Sequence, residues 1–273
     1  MINNQNYPQV TLNEPQLATM ELAEIVFSQQ IAHGLHLLQV EAPQITLSAK
    51  AGQFVMLHCD GGAFLRRPLS IHRINYGKKW VSFLFAVVGK GTQWLAQTKA
   101  GAHVDLLGPL GNGFNLLPTT KSILLLAGGL GLAPLVFLAD EAIRQGMKVS
   151  LAYGTSTAQR YDRRELPLNI NLIEYSDDGS YGKRGAVTEC LPSLVDEVEQ
   201  VFACGPLPMY RALACHPCLA GKNVQVSLET RMACGLGVCN GCTIKTYSGN
   251  KQVCNHGPVF ALSEVVWDEM APV

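Results

Sequence analysis

The sequence has no surplus of charge of either sign: Lys plus Arg and Asp plus Glu both number 21 in 273 residues, so the formal net charge is zero. Without a basic field to draw in polyanions, nucleic acid and anionic membrane surfaces are excluded as expected partners. Charged residues make up only 15% of the chain against 48% hydrophobic, which excludes disorder as the default and leaves room for two domains with sizeable cores. Nine cysteines are too sparse for a disulfide scaffold and odd in number, which points to a reducing compartment, the cytoplasm, with metal-bound or buried thiols. Residues 1–19 lack a basic stretch followed by an apolar core, so no secretory leader is expected and they read as a partly ordered arm. An uncharged run, Ile123–Ala139, approaches the length of a membrane span. Gly128, Gly129, Gly131 and Pro134 interrupt it, which suits a buried strand, a tight turn and a helix start instead.

Two rhythms divide what is present. From about Leu22 to Leu117 the chain consists of short apolar or alternating runs, such as Gln53–Leu57 and Val81–Val88, separated by Gly, Asn and Lys turns, with a helical period only around Thr92–Thr98. After Pro118 apolar strands alternate with helical stretches: Ser122–Ala127, Val149–Tyr153, Ile170–Tyr175, Gln200–Cys204 and Asn223–Leu228, with Leu132–Gln145 the clearest helix. The expected fold is therefore an α+β multidomain chain: an antiparallel β-barrel over 20–117, an α/β parallel-sheet nucleotide domain over 118–228, and a small cysteine- and glycine-rich loop domain over 229–273.

That last segment carries the most specific pattern. Cys234, Cys239 and Cys242 form C-x4-C-x2-C, and Cys254 follows after a short gap, the arrangement expected of a [2Fe–2S] cluster. Three thiolates must converge from one loop, and Gly235, Gly237 and Gly241 relieve the crowding so that backbone N–H groups can point at sulfur. A structural zinc site would instead favour two C-x2-4-C pairs joined by a longer spacer.

Two glycine-bearing turns suit dinucleotides. Gly128, Gly129 and Gly131 follow a buried strand and open a helix, with Pro134 in its first turn, so backbone amides would face a diphosphate. Cys204, Gly205 and Pro206 end a later strand of the same sheet, where a flat ring could enter and Cys204 would place a thiol beside it or simply fill a buried position. In the β half, Arg67, Pro68, Leu69 and Ser70 put a guanidinium and a hydroxyl on a short extended segment, and Gly91 and Thr92 open the one helix there. Two cradles imply two nucleotides.

In this order the motifs resemble the ferredoxin-reductase superfamily, and most closely the electron-transfer subunits of bacterial NAD-dependent dihydroorotate dehydrogenases. The resemblance covers about residues 20–270. It implies that Arg67, Pro68, Leu69 and Ser70 line the FAD ring and phosphate, that Leu84, Phe85 and Ala86 pass along the flavin, and that Gly91 and Thr92 hold its diphosphate. Gly128, Gly129, Gly131, Cys204, Gly205 and Pro206 would take NAD, and Cys234, Cys239, Cys242 and Cys254 the [2Fe–2S] cluster. The implied partner is an FMN-containing dihydroorotate dehydrogenase catalytic subunit, in a heterotetramer of two of each, serving pyrimidine biosynthesis. The same module could serve a sulfide dehydrogenase, a hydrogenase or a ferredoxin–NADP system, and a cluster alone would suit a non-catalytic redox sensor. The segment Phe85-Ala86 departs from the aromatic and basic pair that family members often carry there.

Other polar groups receive plainer expectations. No catalytic triad or carboxylate dyad is present. His58, His72 and His103 read as satisfied barrel histidines, Cys215 and Cys218 as ordinary thiols, and Asp177 as part of a turn. Arg160, Arg163 and Arg164 lie where a cation would favour NADP, against the NAD that the resemblance implies.

Overall fold

A computed structural model describes residues 18–62, 64–155 and 161–271. Residues 1–17 of the N-terminal arm and Arg160 lie outside them.

Six antiparallel strands close into a barrel: β1 (Thr19–Ala32), β2 (Leu35–Glu41), β3 (Phe54–Leu57), β4 (Arg67–Asn75), β5 (Trp80–Ala86) and β6 (His103–Leu110), in the order β1-β2-β5-β4-β3-β6. Closure leaves no free edge. Two short helices cover it, α1 (Pro43–Ser48) and α2 (Lys90–Gln97). The apolar runs seen in the sequence lie in these strands, and Leu38, Val55, Phe83 and Leu106 are fully enclosed.

The second half is a parallel sheet built from β7 (Ser122–Gly128), α3 (Leu132–Arg144), β8 (Lys148–Gly154), β9 (Asn171–Ser176), β10 (Lys183–Arg184), α4 (Leu191–Leu194), β11 (Gln200–Cys204), α5 (Leu207–Ala214) and β12 (Asn223–Ser227). The strand order is β10-β9-β8-β7-β11-β12, and all neighbours are parallel. The uncharged stretch from Ile123 is thus the central strand β7, a three-residue turn and α3, in agreement with its glycine punctuation. Among the described residues no helix is long and apolar enough to cross a membrane.

The cysteine-rich segment holds a hairpin of β13 (Thr243–Thr246) and β14 (Gly249–Gln252), then the single turn α6 (Val253–His256) and β15 (Val259–Ala261). The chain then re-enters the large sheet: β15 pairs antiparallel with β12, and the Leu228 amide donates to the Pro258 carbonyl at 2.8 Å. A three-residue strand has no periodicity to read, so only its pairing with β12 creates it.

Two apolar clusters bind the parts together. One runs from the barrel interior through α3 to one face of the sheet, and the other joins Phe54, Met56 and Leu110 of the barrel to the opposite sheet face and to Cys242, Cys254 and Phe260. Between barrel and sheet, Arg73 grips Asp140 of α3 with two bonds of 2.7 and 3.0 Å and also donates to the Glu165 carbonyl. His72 is completely enclosed beside it. A carbonyl oxygen can only accept, so His72 Nδ1 carries the proton donated to Ala133, 3.1 Å away, and Nε2 accepts from the Tyr161 hydroxyl at 3.1 Å.

Burial holds His72 neutral, lowering it from the ordinary 6.5 to about 4, with the Ala133 bond opposing the shift and Arg73 adding to it. The unfolded chain takes up this proton first as pH falls. The neutral ring therefore contributes fully above pH 6.5, and about 3 kcal/mol is lost as pH falls from 6.5 to 4. Thermal unfolding followed across that window should show a steeper loss for the wild type than for His72→Gln. Equal slopes would refute the assignment.

Candidate functional site

Two clefts lie at the carboxyl end of the parallel sheet, one between it and the barrel and one within the sheet domain. The first, about 610 Å³, is lined by Arg67, Pro68, Leu69 and Ser70 where β4 begins, by Leu84, Phe85 and Ala86 where β5 ends, by Thr92 of α2, and by Glu229, Thr230, Arg231 and Met232. Gly91 is absent from the wall for a structural reason. A Cβ there would lie 2.6 Å from Arg67 Nε, so the glycine makes room for the arginine to lie over the start of α2. Arg67 Nη1 donates to the Leu65 carbonyl at 2.8 Å, which fixes the guanidinium beside the cleft. The Thr92 hydroxyl is spent on its own turn, accepting from the Val88 and Gly89 amides at 3.0 and 3.1 Å. Thr230 Oγ1 is buried without a hydrogen-bond partner, a cost that a polar ligand atom in this cleft would relieve. The volume and a mostly apolar wall with few polar groups fit a flat aromatic cofactor such as a flavin.

The second cleft, about 700 Å³, lies at the carboxyl ends of β7, β8, β9 and β11, where open parallel sheets bind ligands. Gly128, Gly129 and Gly131 form its floor, with Gly154, Thr155, Asp177, Gly205 and Pro206 around it. The glycines are demanded by close approach. A Cβ on Gly131 would sit 2.0 Å from the Cys204 carbonyl oxygen, and one on Gly128 2.6 Å from Pro206 Cδ. The backbone at the start of α3 is thereby left open to a diphosphate.

Several expectations change here. Cys204, which the spacing left either beside the second ligand or buried and which the resemblance placed with NAD, is 1% exposed and lines neither cleft. Its thiol lies under the floor against the Tyr210 hydroxyl and Ser227, and burial pushes it well above its usual range. The reason is strand alternation: Cys204 falls on the same face of β11 as Phe202 and joins its apolar cluster, while Val201 and Ala203 face the other way. Asp177, read as a plain turn, lines the second cleft. Arg163 and Arg164 do not, and Arg164 is paired with Asp162 at 2.5 Å. The segment Glu229–Met232 was missed altogether. Its signal was positional, directly after strand β12 at the carboxyl end of a parallel sheet.

The four motif cysteines form two pairs. Cys242 and Cys254 lie 3.3 Å apart between sulfurs, and the Cys234 thiol contacts Cys239. Backbone N–H groups point at sulfur as expected: Leu236 to Cys234 at 3.4 Å, Gly237 to Cys254 at 3.1 Å and Gly241 to Cys239 at 3.5 Å. Burial opposes ionisation of Cys234, but donors from Leu236, Cys239 and Val238 outweigh it and bring the thiol to about 6. Burial and the adjoining Cys242 push Cys254 up to about 12, because two thiolates this close repel unless a cation stands between them. Two thiolate pairs with amide donors fit two bridged irons. The loop is held by positive-φ glycines: Gly235 (φ 72°) packs on Met56, and Gly237 (φ 77°) on Asn255. Leu236, Val238 and Cys239 remain exposed.

A closed barrel, a parallel nucleotide sheet and a cysteine loop, with two clefts at their junction, define the class of ferredoxin-reductase-like electron-transfer proteins. A solved NADH-dependent reduced ferredoxin–NADP oxidoreductase, described in the context of flavin-based electron bifurcation, superposes with a TM-score of 0.82 at 29% identity over 91% of each chain. The ferredoxin reductase of carbazole 1,9a-dioxygenase shares the fold, with a TM-score of 0.64 over 76% of this chain and 67% of that one. Residues 229–266 match the iron–sulfur cluster binding domain of dihydroorotate dehydrogenase B. Electron transfer subunits of dihydroorotate dehydrogenase B (NAD(+)) from Desulforamulus reducens and Geobacillus kaustophilus are each 36% identical to it, over 90% of this chain and 98% of theirs. The chain belongs to this family of dihydroorotate dehydrogenase B electron transfer subunits.

Proposed function

We propose that this chain passes electrons between NAD(H) and an FMN-bearing dihydroorotate dehydrogenase catalytic subunit, in a cytoplasmic complex with two copies of each that serves pyrimidine biosynthesis. The observation that carries the reading is the convergence of two nucleotide-sized clefts beside one paired-cysteine loop. FAD in the first cleft would supply the exchange between hydride and single-electron chemistry, and a [2Fe–2S] cluster a one-electron relay.

The residues divide this work. Arg67 would hold a phosphate, with Gly91 giving it space, and Ser70 would hydrogen-bond the ring. Pro68, Leu69, Leu84, Phe85 and Ala86 would hold the ring flat and keep water from it. Gly128, Gly129 and Gly131 would admit the diphosphate of NAD, and Gly205 and Pro206 would flank its ring, with buried Cys204 supporting that turn from beneath. Cys234 and Cys239 would take one iron, and Cys242 and Cys254 the other. Functional units over 20–117, 118–228 and 229–273 accompany these roles, the last contributing β15 to the sheet.

The test is reconstitution. The FAD- and iron-loaded chain mixed with the FMN-binding subunit should reduce NAD when dihydroorotate is added, and a stable complex inert to dihydroorotate would overturn the reading. The likeness to a ferredoxin–NADP oxidoreductase supports one alternative, the same module serving ferredoxin. Rapid reduction of ferredoxin by such an inert complex would favour it.

A further inference from the structure

Among the described residues, Glu229 alone lines three cavities at once: the first cleft, the second cleft, and a smaller cavity of about 260 Å³ behind them. That third cavity is walled by Leu207, Pro208, Tyr210 and Met270, and it reaches the surface at Pro208 and Ala271, which are exposed. It is roomy enough for several waters, and the carboxyl and backbone carbonyls offer them partners. Glu229 is an exposed side chain that opens into these cavities, with protein atoms crowded closely enough around it to desolvate its carboxyl.

The proposed function creates a need that this placement meets, and the inference rests on that reading. A hydride carries two electrons and a proton, whereas a thiolate-held cluster takes electrons one at a time and no proton. The balance for each turnover is NADH giving NAD⁺, one proton and two electrons. The electrons leave through the cysteine loop, and the proton needs its own way out.

We infer that Glu229 is that exit: its carboxylate takes the proton left at the junction of the two clefts and passes it to solvent through the cavity beside Met270. In the opposite direction of flow the same carboxyl donates. Burial raises this carboxyl above its usual range, which brings it closer to the balance between taking and giving a proton. The charged and titratable groups facing the region are Arg67 and Arg231 from the first cleft, Tyr175 and Asp177 from the second, and Cys204 and Tyr210 beneath. None of these six lines all three cavities.

The test uses the FAD- and iron-loaded protein. In wild type, the infrared difference spectrum between reduced and oxidised forms should contain a carboxylic-acid C=O band that shifts in heavy water, and Glu229→Gln should lack it. In weakly buffered solution with a pH dye, proton release after mixing with NADH should accompany cluster reduction. Both should slow on the order of 100-fold in Glu229→Gln. Glu229→Asp, which keeps a titrating group one methylene shorter, should fall between, and it carries the test should the glutamine variant fail to retain FAD. Proton release at the wild-type rate in the glutamine variant, or survival of the infrared band, would overturn the inference. If NADH fails to bleach the FAD of the wild type, the functional reading itself fails, and the inference with it.

Discussion

Replacing Cys254 by serine should abolish electron delivery to the partner, by on the order of 100-fold or more, while NADH continues to reduce FAD. Cys254 is the ligand most dependent on tertiary structure. The other three share one loop, whereas Cys254 arrives on α6 after the β13–β14 hairpin and reaches Cys242 to within 3.3 Å. Its sulfur also receives the Gly237 amide, so the change removes a thiolate and loosens the loop at one stroke. The first cleft, where FAD is proposed to sit, contains no residue of α6, so hydride transfer has no structural reason to fail. Iron content, cluster absorbance and stopped-flow bleaching of FAD separate the two steps, and loss of FAD reduction would contradict the proposed order of transfer.

The largest effect on binding and folding is expected from Gly131→Ala. Its new methyl would meet the Cys204 carbonyl oxygen at 2.0 Å and the Gly205 amide at 2.7 Å, and both are backbone atoms that cannot swing aside. Separating the start of α3 from the end of β11 should cost about 3 kcal/mol or more and close the diphosphate site. Gly129→Ala supplies the control. It has open space around its Cβ position and a positive φ of 53°, so only backbone strain of about 1 kcal/mol is expected. Urea unfolding and NADH titration should separate the two variants widely; similar behaviour would show that the close approach is not the constraint.

Much of this architecture could be read from residues because its signals are local. Alternating runs marked the barrel, apolar strands with helices between them marked the sheet, and Gly128–Pro134 marked the turn from β7 into α3. The cysteine pattern was legible because metal chemistry dictates its spacing. What escaped depends on direction or on distant pairing. Cys204 sits at a strand end where either a ligand-facing thiol or a small buried residue was compatible with the spacing, and the side chain lies in the core, because the face it takes depends on how β11 packs against its neighbours. Glu229 and Thr230 follow a strand without any motif of their own, and they matter only because the barrel stands opposite. Strand β15 exists because β12 offers it an edge.

That returning strand has a mechanical meaning. The cysteine loop leaves the sheet at the end of β12 and is stitched back into the same sheet at β15, so it is a handle fixed at both ends and cannot swing as a tethered tail would. Electron tunnelling rates fall steeply with separation. Anchoring the cluster-bearing handle at both ends to the edge of the sheet makes the tunnelling gap a built-in dimension of the fold, independent of any docking motion of the partner.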